Sequence, residues 1–299
     1  MATILGVGIA TLDIINTVDH YPQEDEEMRA LSQRIARGGN CTNTLVALSQ
    51  LGHTCHWAGV LADEPDGSRI LDDLDTNRVA YHDCMIHPGG KVPTSYINLN
   101  QATGTRTIVH YRDLPELPYK AFEAIELDRY DWVHFEGRNV EQTAQMMQRV
   151  AREAPVARIS LEIEKPREGI EALFDLAHVV IFSRAFALSR GYEDGAEFLK
   201  AMHRLTRAEV LYCAWGELGG YGMLADGSHF DSPAFPPEAL VDTIAAGDVF
   251  NAGVINASLN GHSCQESLQQ ACRVAGDHCG VEGIQLWNFN LPYSDEPAH

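Results

Sequence analysis

Asp242-Thr243-Ile244-Ala245-Ala246-Gly247-Asp248-Val249-Phe250-Asn251-Ala252-Gly253 opens on a run of small residues and closes on a helical pattern. Val249, Phe250, Val254 and Ala257 share one side of that pattern, which predicts a helix over about 247–259. Ala246, Gly247 and Asp248 then stand at its N-terminus. Backbone N–H groups there lack intrahelical partners, and the positive end of the helix dipole favours an anion. Small side chains let a phosphate reach those donors. A carboxylate beside a transferred phosphoryl group can accept the proton of an attacking hydroxyl, which gives Asp248 a chemical role. An acid in a first turn also stabilises a helix through its dipole. Spacing alone leaves both readings of Asp248 open.

Outward from this helix, strand-like and helix-like segments alternate. Residues 4–9, 54–61, 132–135, 158–163, 179–182 and 210–215 are runs of strand length, and 43–51, 67–75, 141–153 and 265–280 read as helices. The alternation predicts an α/β domain with a mostly parallel sheet covered by helices. Two stretches break the rhythm. Residues 28–37 have mixed polarity and suit a strand or a helix, and 94–99 and 105–111 alternate around Ala102-Thr103-Gly104 as a hairpin. Strands without helix partners are expected to form a small sheet beside the main domain, as a lid or an interface. The reading is one domain over residues 1–286, with lid strands at about 10–37 and 92–112 and a loosely ordered tail at 287–299.

A second segment, Arg37-Gly38-Gly39-Asn40-Cys41-Thr42-Asn43, delivers a Gly-Gly turn into a helix. Asn40 and Asn43 share a helix face by their i, i+3 spacing. Their amides both donate and accept, which suits a polyol. A plain turn with an asparagine N-cap is the other reading of these residues, and from them alone the commoner one. Asp13, in Thr11-Leu12-Asp13-Ile14-Ile15, is an isolated acid in an apolar run and needs polar partners if buried.

The net charge of −20 would repel a phosphate backbone, so nucleic-acid binding is not expected. Such an acidic surface suits simple solubility or salt adaptation. No apolar run approaches the roughly 20 residues of a membrane span. The first residues lack a basic leader and run into a strand, so no signal peptide is expected. Seven scattered cysteines without a C-x-x-C pair argue against a disulfide framework or zinc knuckle and point to a reducing cytoplasm. Gly6-Val7-Gly8 superficially suggests a dinucleotide fold, but Thr11 stands where the third glycine of G-x-G-x-x-G belongs and no strand-to-helix transition follows.

Taken together, Asp242 to Asp248 and Gly39-Asn40-x-x-Asn43 resemble the two signatures of the PfkB, or ribokinase-like, sugar kinases. The C-terminal signature reads Asp-Thr-x-Gly-Ala-Gly-Asp, and Ala245 replaces its first glycine. If that position requires a positive φ, alanine is strained there. The resemblance runs from about residue 4 to 283 and is nearest to the ketohexokinase branch. It is carried by Leu31-Ser32-Gln33-Arg34, Arg106-Thr107-Ile108-Val109, His134-Phe135-Glu136-Gly137-Arg138-Asn139, Glu164-Lys165-Pro166-Arg167 and Cys213-Ala214-Trp215-Gly216.

The resemblance implies a ribokinase-like three-layer α/β/α sandwich with a small β-sheet lid, the β-clasp, and ATP-dependent phosphorylation of a ketohexose at C1. Asp248 would be the base, with the amides of Ala246, Gly247 and Asp248 as the anion hole. Asp13, Gly39, Asn40, Asn43 and Asp248 would contact the sugar. Arg106, Gly216, Glu217, Leu218, Gly219, Ala245, Ala246, Gly247 and Cys272 would contact ATP; Cys272 also suits a helix core. Mg2+ is implied, with no organising residue identified, because the Asn-x-x-Glu motif of many relatives is absent from Phe182-Ser183-Arg184-Ala185-Phe186. A monovalent cation such as K+ near the anion hole and a homodimer through the lid are further implications. A kinase for another polyol, or a non-catalytic sugar-binding protein on the same fold, are the alternatives.

Overall fold

The computed structural model describes residues 1–286, so the expected tail at 287–299 lies outside the described residues. In chain order the first elements are β1 (Thr3–Val7), β2 (Thr11–Val18), β3 (Ser32–Gly38), α1 (Asn40–Gln50), β4 (Thr54–Ala58), β5 (Val60–Ala62), α2 (Pro65–Thr76), β6 (Val79–Ala80) and β7 (Met85–His87). Then come β8 (Thr94–Asn100), β9 (Arg106–Tyr111), α3 (Tyr119–Phe122), β10 (Trp132–Glu136), α4 (Val140–Glu153), β11 (Arg158–Ile163) and β12 (Val179–Ser183). The last are α5 (Arg184–Ser189), α6 (Gly195–His203), β13 (Val210–Ala214), β14 (Gly220–Leu224), β15 (His229–Ser232), α7 (Ala246–Leu259) and α8 (Cys264–His278).

Nine strands form the main sheet in the order β15-β14-β13-β12-β11-β10-β1-β4-β6. The seven from β6 to β13 run parallel, and β14 and β15 close one edge antiparallel. The parallel strands are buried on both faces, as their near-continuous apolar runs require. β1 lies between β4 and β10, so the chain builds outward from it in both directions. In such a sheet the crevice at this reversal, beyond the carboxyl ends of the strands, is where ligands bind.

A separate four-stranded sheet, in the order β3-β2-β8-β9, stands beside the main one as the leftover strands suggested. The ambiguous 28–37 stretch supplies β3, and the 94–111 hairpin supplies β8 and β9. After β1 the chain enters a strand, not a helix, which removes the dinucleotide reading of Gly6-Val7-Gly8. α1 starts at Asn40, three residues before the expected 43, because Gly39 at φ 102° is its cap. The expected strand over 54–61 is two, broken at Gly59. β14 and β15 carry no clear signal: glycines at 220 and 222 dilute the first, and the second is half-exposed on the sheet edge.

Candidate active site

Both signatures open onto one cleft of about 1230 Å3 between the main sheet and the lid. Every residue nominated from the sequence lines it except Leu218, which is 58 % exposed.

At the phosphate end, Ala245 caps α7 at φ 67° and ψ 6°. The position does require left-handed backbone, so alanine carries the strain that glycine would avoid. The first intrahelical bond runs from the Val249 N–H to the Ala245 carbonyl, which leaves the amides of Ala246, Gly247 and Asp248 ahead of it. The Ala246 amide makes only a 3.4 Å bond to the Thr243 carbonyl. A Cβ at Gly247 would meet nothing within 4 Å, so this residue borders open space. Asp242 shapes the loop behind them: its carboxylate accepts the N–H groups of Ile244 at 2.9 Å and Gly283 at 3.2 Å and pairs with Arg34 from β3. His278 on α8 donates to the Ile244 carbonyl at 2.6 Å. Arg106 on β9 reaches across to Thr243, donating to its carbonyl at 3.4 Å and its hydroxyl at 3.3 Å. Two lid arginines therefore reach the anion loop.

At the other end, Gly38 and Gly39 are glycines for different reasons. A Cβ on Gly38 would collide with the Asp13 carboxylate, and one on Gly39 with the Ile9 carbonyl. Asp13 is buried and accepts the Thr11 hydroxyl at 2.9 Å. Burial raises its carboxyl pKa, opposed by hydrogen bonds from Ser95 and Thr11. Neither asparagine caps α1. Asn40 donates to Glu162 Oε1 at 3.1 Å, and Asn43 donates to Asp248 Oδ2 at 2.7 Å. Arg37 donates to Asn43 Oδ1 at 2.6 Å, fixing which way that amide faces.

Asp248 has tertiary contacts beyond its place in a first turn. It is buried at the head of α7, tied to a helix 205 residues away in sequence. Burial pushes its carboxyl well above the usual carboxylate range; the Asn43 bond opposes that, and the charges of Glu164 and Glu136 add to it. Glu162 at the end of β11 is raised in the same way, first by burial and then by Asp248.

Sequence reasoning left Arg37, Glu136 and Glu162 without roles. The signal that singled out Asp13, an isolated acid in an apolar strand, marks Glu136 and Glu162 as well. The orienting contact of Arg37 depends on a helix that folds back against it and has no local mark. Farther along the cleft, Gly216 to Leu218 form one turn of 3-10 helix after β13, and Glu217 pairs with Arg184 at 2.9 Å. Cys272 is buried on α8 yet borders the cleft; burial pushes its thiol up to about 11, which disfavours the thiolate. A separate cluster, His56, His82 and Asp83, has metal-ligand spacing, but Arg129 already donates into it, to His82 at 2.8 Å and Asp83 at 3.2 Å. No helix among the described residues is long and apolar enough to cross a membrane.

The family described as pfkB family carbohydrate kinase matches residues 1–287. Ketohexokinase from Mus musculus is 40 % identical over 94 % of this chain and 97 % of its own length. A putative ribokinase from Agrobacterium tumefaciens superposes with a TM-score of 0.81 at 23 % identity, over 94 % of this chain and 92 % of that one. The Arabidopsis thaliana ribokinase structure, complexed with ribose and ATP, superposes at 0.77 with 19 % identity, over 94 % of both chains.

Proposed function

The chain belongs to the pfkB family of carbohydrate kinases, and from that premise we propose that it transfers the γ-phosphoryl group of ATP to the C1 hydroxyl of a ketohexose, fructose above all. The observation that carries this reading is the Asn43–Asp248 bond, which joins the polyol-facing helix to the carboxylate beside the anion-seating amides.

Asp248 takes the proton of the attacking hydroxyl. Its contact with Asn43 keeps it aimed, and Arg37 keeps Asn43 aimed. The amides of Ala246, Gly247 and Asp248, with Arg106, offset charge developing on the transferred group. Asp13, Gly39, Asn40 and Asn43 hold the sugar, so positioning supplies much of the rate. ATP runs from the α7 N-terminus past Gly216, Glu217 and Gly219 to Cys272.

Magnesium suits the donors present. The ion prefers hard oxygen ligands and keeps several waters, and the Glu164 carboxylate lines the cleft, one third exposed, with its Oε1 paired to Lys165 at 3.1 Å and its other oxygen left for the ion's water. Glu164 would take part of its water shell, and the bound ion would neutralise phosphate charge. The expected monovalent cation has no residue assigned to it: the Asp242 carboxylate and Ile244 carbonyl behind the anion loop are bonded to Arg34 and His278.

The lid's outer face suits a second copy of the chain. Asp13, Ile97 and Ile108 face the cleft, so alternation turns Ile14, Ile35, Tyr96 and Val109 outward. These four are cross-strand neighbours in one row, and Ile35, Tyr96 and Val109 are 47 %, 44 % and 67 % exposed. An exposed apolar row on a sheet marks an interaction surface. Val109→Glu should convert a dimer to a monomer by analytical ultracentrifugation.

An ATP-consumption assay across ketohexoses, pentoses, nucleosides and amino-ketoses tests the substrate. Fructose should give the highest kcat/KM, and its product should carry phosphate on C1. Faster turnover of a pentose or nucleoside would move the protein elsewhere in the family, and binding without turnover would remove the kinase reading.

A further inference from the structure

Three buried carboxylates, Asp13, Glu162 and Asp248, line the cleft, and a fourth, Glu136, is buried behind it. Asp13 accepts the Thr11 hydroxyl. Glu136 accepts the Ile9 N–H at 2.9 Å and Arg138 at 2.5 Å. Asp248 accepts Asn43. Of the four, Glu162 alone has an oxygen that is both buried and without a hydrogen-bond partner. It is 6 % exposed, its Oε1 accepts Asn40, and its Oε2 is buried with no hydrogen-bond partner. A buried carboxylate oxygen left unpaired is costly and uncommon. It belongs to a side chain that lines the cleft together with Asp13, Asn40, Asn43 and Asp248.

We propose that Glu162 is a further sugar-contacting residue: its Oε2 hydrogen-bonds one hydroxyl of the bound polyol, while its Oε1 holds the Asn40 amide in place for another. This rests on the kinase reading of the same cleft and adds a specificity determinant to it. The substrate class it selects is a polyol with a hydroxyl at the position Oε2 reaches.

The protonation chemistry is compatible. Burial raises the Glu162 carboxyl far above the ordinary range, and the charges of Asp248, Glu136 and Glu164 raise it further; the Asn40 bond opposes them. A protonated Oε2 donates to the sugar and an ionised one accepts from it, and a hydroxyl serves either.

The test is Glu162→Gln in the full chain, assayed with the best acceptor sugar and its monodeoxy analogues. Glutamine keeps the size of the side chain and a carbonyl oxygen for Asn40. The KM for the sugar should rise about tenfold, with kcat within about threefold and no change in the KM for ATP or the half-saturating Mg2+. One deoxy analogue that the wild type rejects should no longer be rejected by the variant, while discrimination at other positions persists. Glu162→Asp, one methylene shorter and still acidic, should show the same selective loss, which keeps the test valid if the glutamine variant folds poorly. A uniform loss across all analogues, or a higher Mg2+ requirement with an unchanged sugar KM, would overturn the proposal. So would variants that match the wild type throughout. A wild type that phosphorylates no polyol overturns the kinase reading and this inference together, whereas an active wild type with unaltered variants overturns Glu162 alone.

Discussion

The two ends of the cleft are built from different materials. The proposed phosphate end is main chain: small residues, a left-handed turn at Ala245 and amides ahead of the first intrahelical bond. The sugar end is side chain, with its polar groups already paired to one another through Thr11–Asp13, Arg37–Asn43–Asp248 and Asn40–Glu162. Amides serve any phosphate and cannot be altered by exchanging one side chain. Paired side chains can be exchanged singly, so selectivity is concentrated there. Asp248 belongs to both ends: its amide opens α7 and its carboxylate accepts Asn43, so on the proposed reading it would serve phosphate and sugar alike.

The largest effect should come from cutting that shared residue. Asp248→Asn should lower kcat about 10^2- to 10^4-fold while both substrates still bind. A variant keeping most of its turnover in a steady-state assay removes the base assignment. The pH profile gives a second check. The base must be ionised and its pKa is raised, so activity should fall on the acid side at a pH above the ordinary carboxylate range. The sign for stability is opposite to that of a salt-bridged acid. A carboxyl whose folded pKa exceeds its unfolded one contributes stability at low pH and loses it as pH rises through the folded value. The neutral asparagine should therefore raise Tm slightly at pH 7 by calorimetry.

Next in size, two glycines separate the ends from each other. Gly247→Ala adds a Cβ where the protein has room, so Tm should hold while the KM for ATP rises about tenfold through crowding of the phosphate. Gly38→Ala drives a Cβ into the Asp13 carboxylate, so the KM for the sugar should rise and stability should fall by about 1–3 kcal/mol. Kinetics and melting curves for the pair test the division: a Gly247→Ala enzyme with normal ATP kinetics would place the anion seat elsewhere. The smallest effect is at Ala245. Glycine there should relieve about 1 kcal/mol of left-handed strain and raise Tm by about 2 °C. A lower Tm would mean that the φ of 67° costs alanine little.

Much of the main domain was legible because its signals are local. A buried parallel strand needs an apolar run and an amphipathic helix needs its period, so β10, β11, β12 and α4 fell close to their expected bounds. The same logic failed where the tertiary setting overrides composition: the glycine-rich β14 is held in place by pairing with β13. It failed again at α1, where the turn before the helix, and not an asparagine cap, sets the start. In the site, Asp248, Asp13 and the two asparagines stood out as residues, but not their partners.

The amino-acid sequence by itself determined that this is an α/β chain with a small-residue helix start near one end and an amide-bearing turn near the other. Both are properties of neighbouring residues. Only the tertiary structure decided that they face each other. Sheet order places β1 between β4 and β10, sets α1 against α7 and brings Asn43 within 2.7 Å of Asp248 across 205 residues. The same order delivers Glu162 beside Asn40 across 122 residues. Contacts of that span are set by strand order and packing, which no local period encodes, and they turn a first-turn acid into a buried, aimed carboxylate.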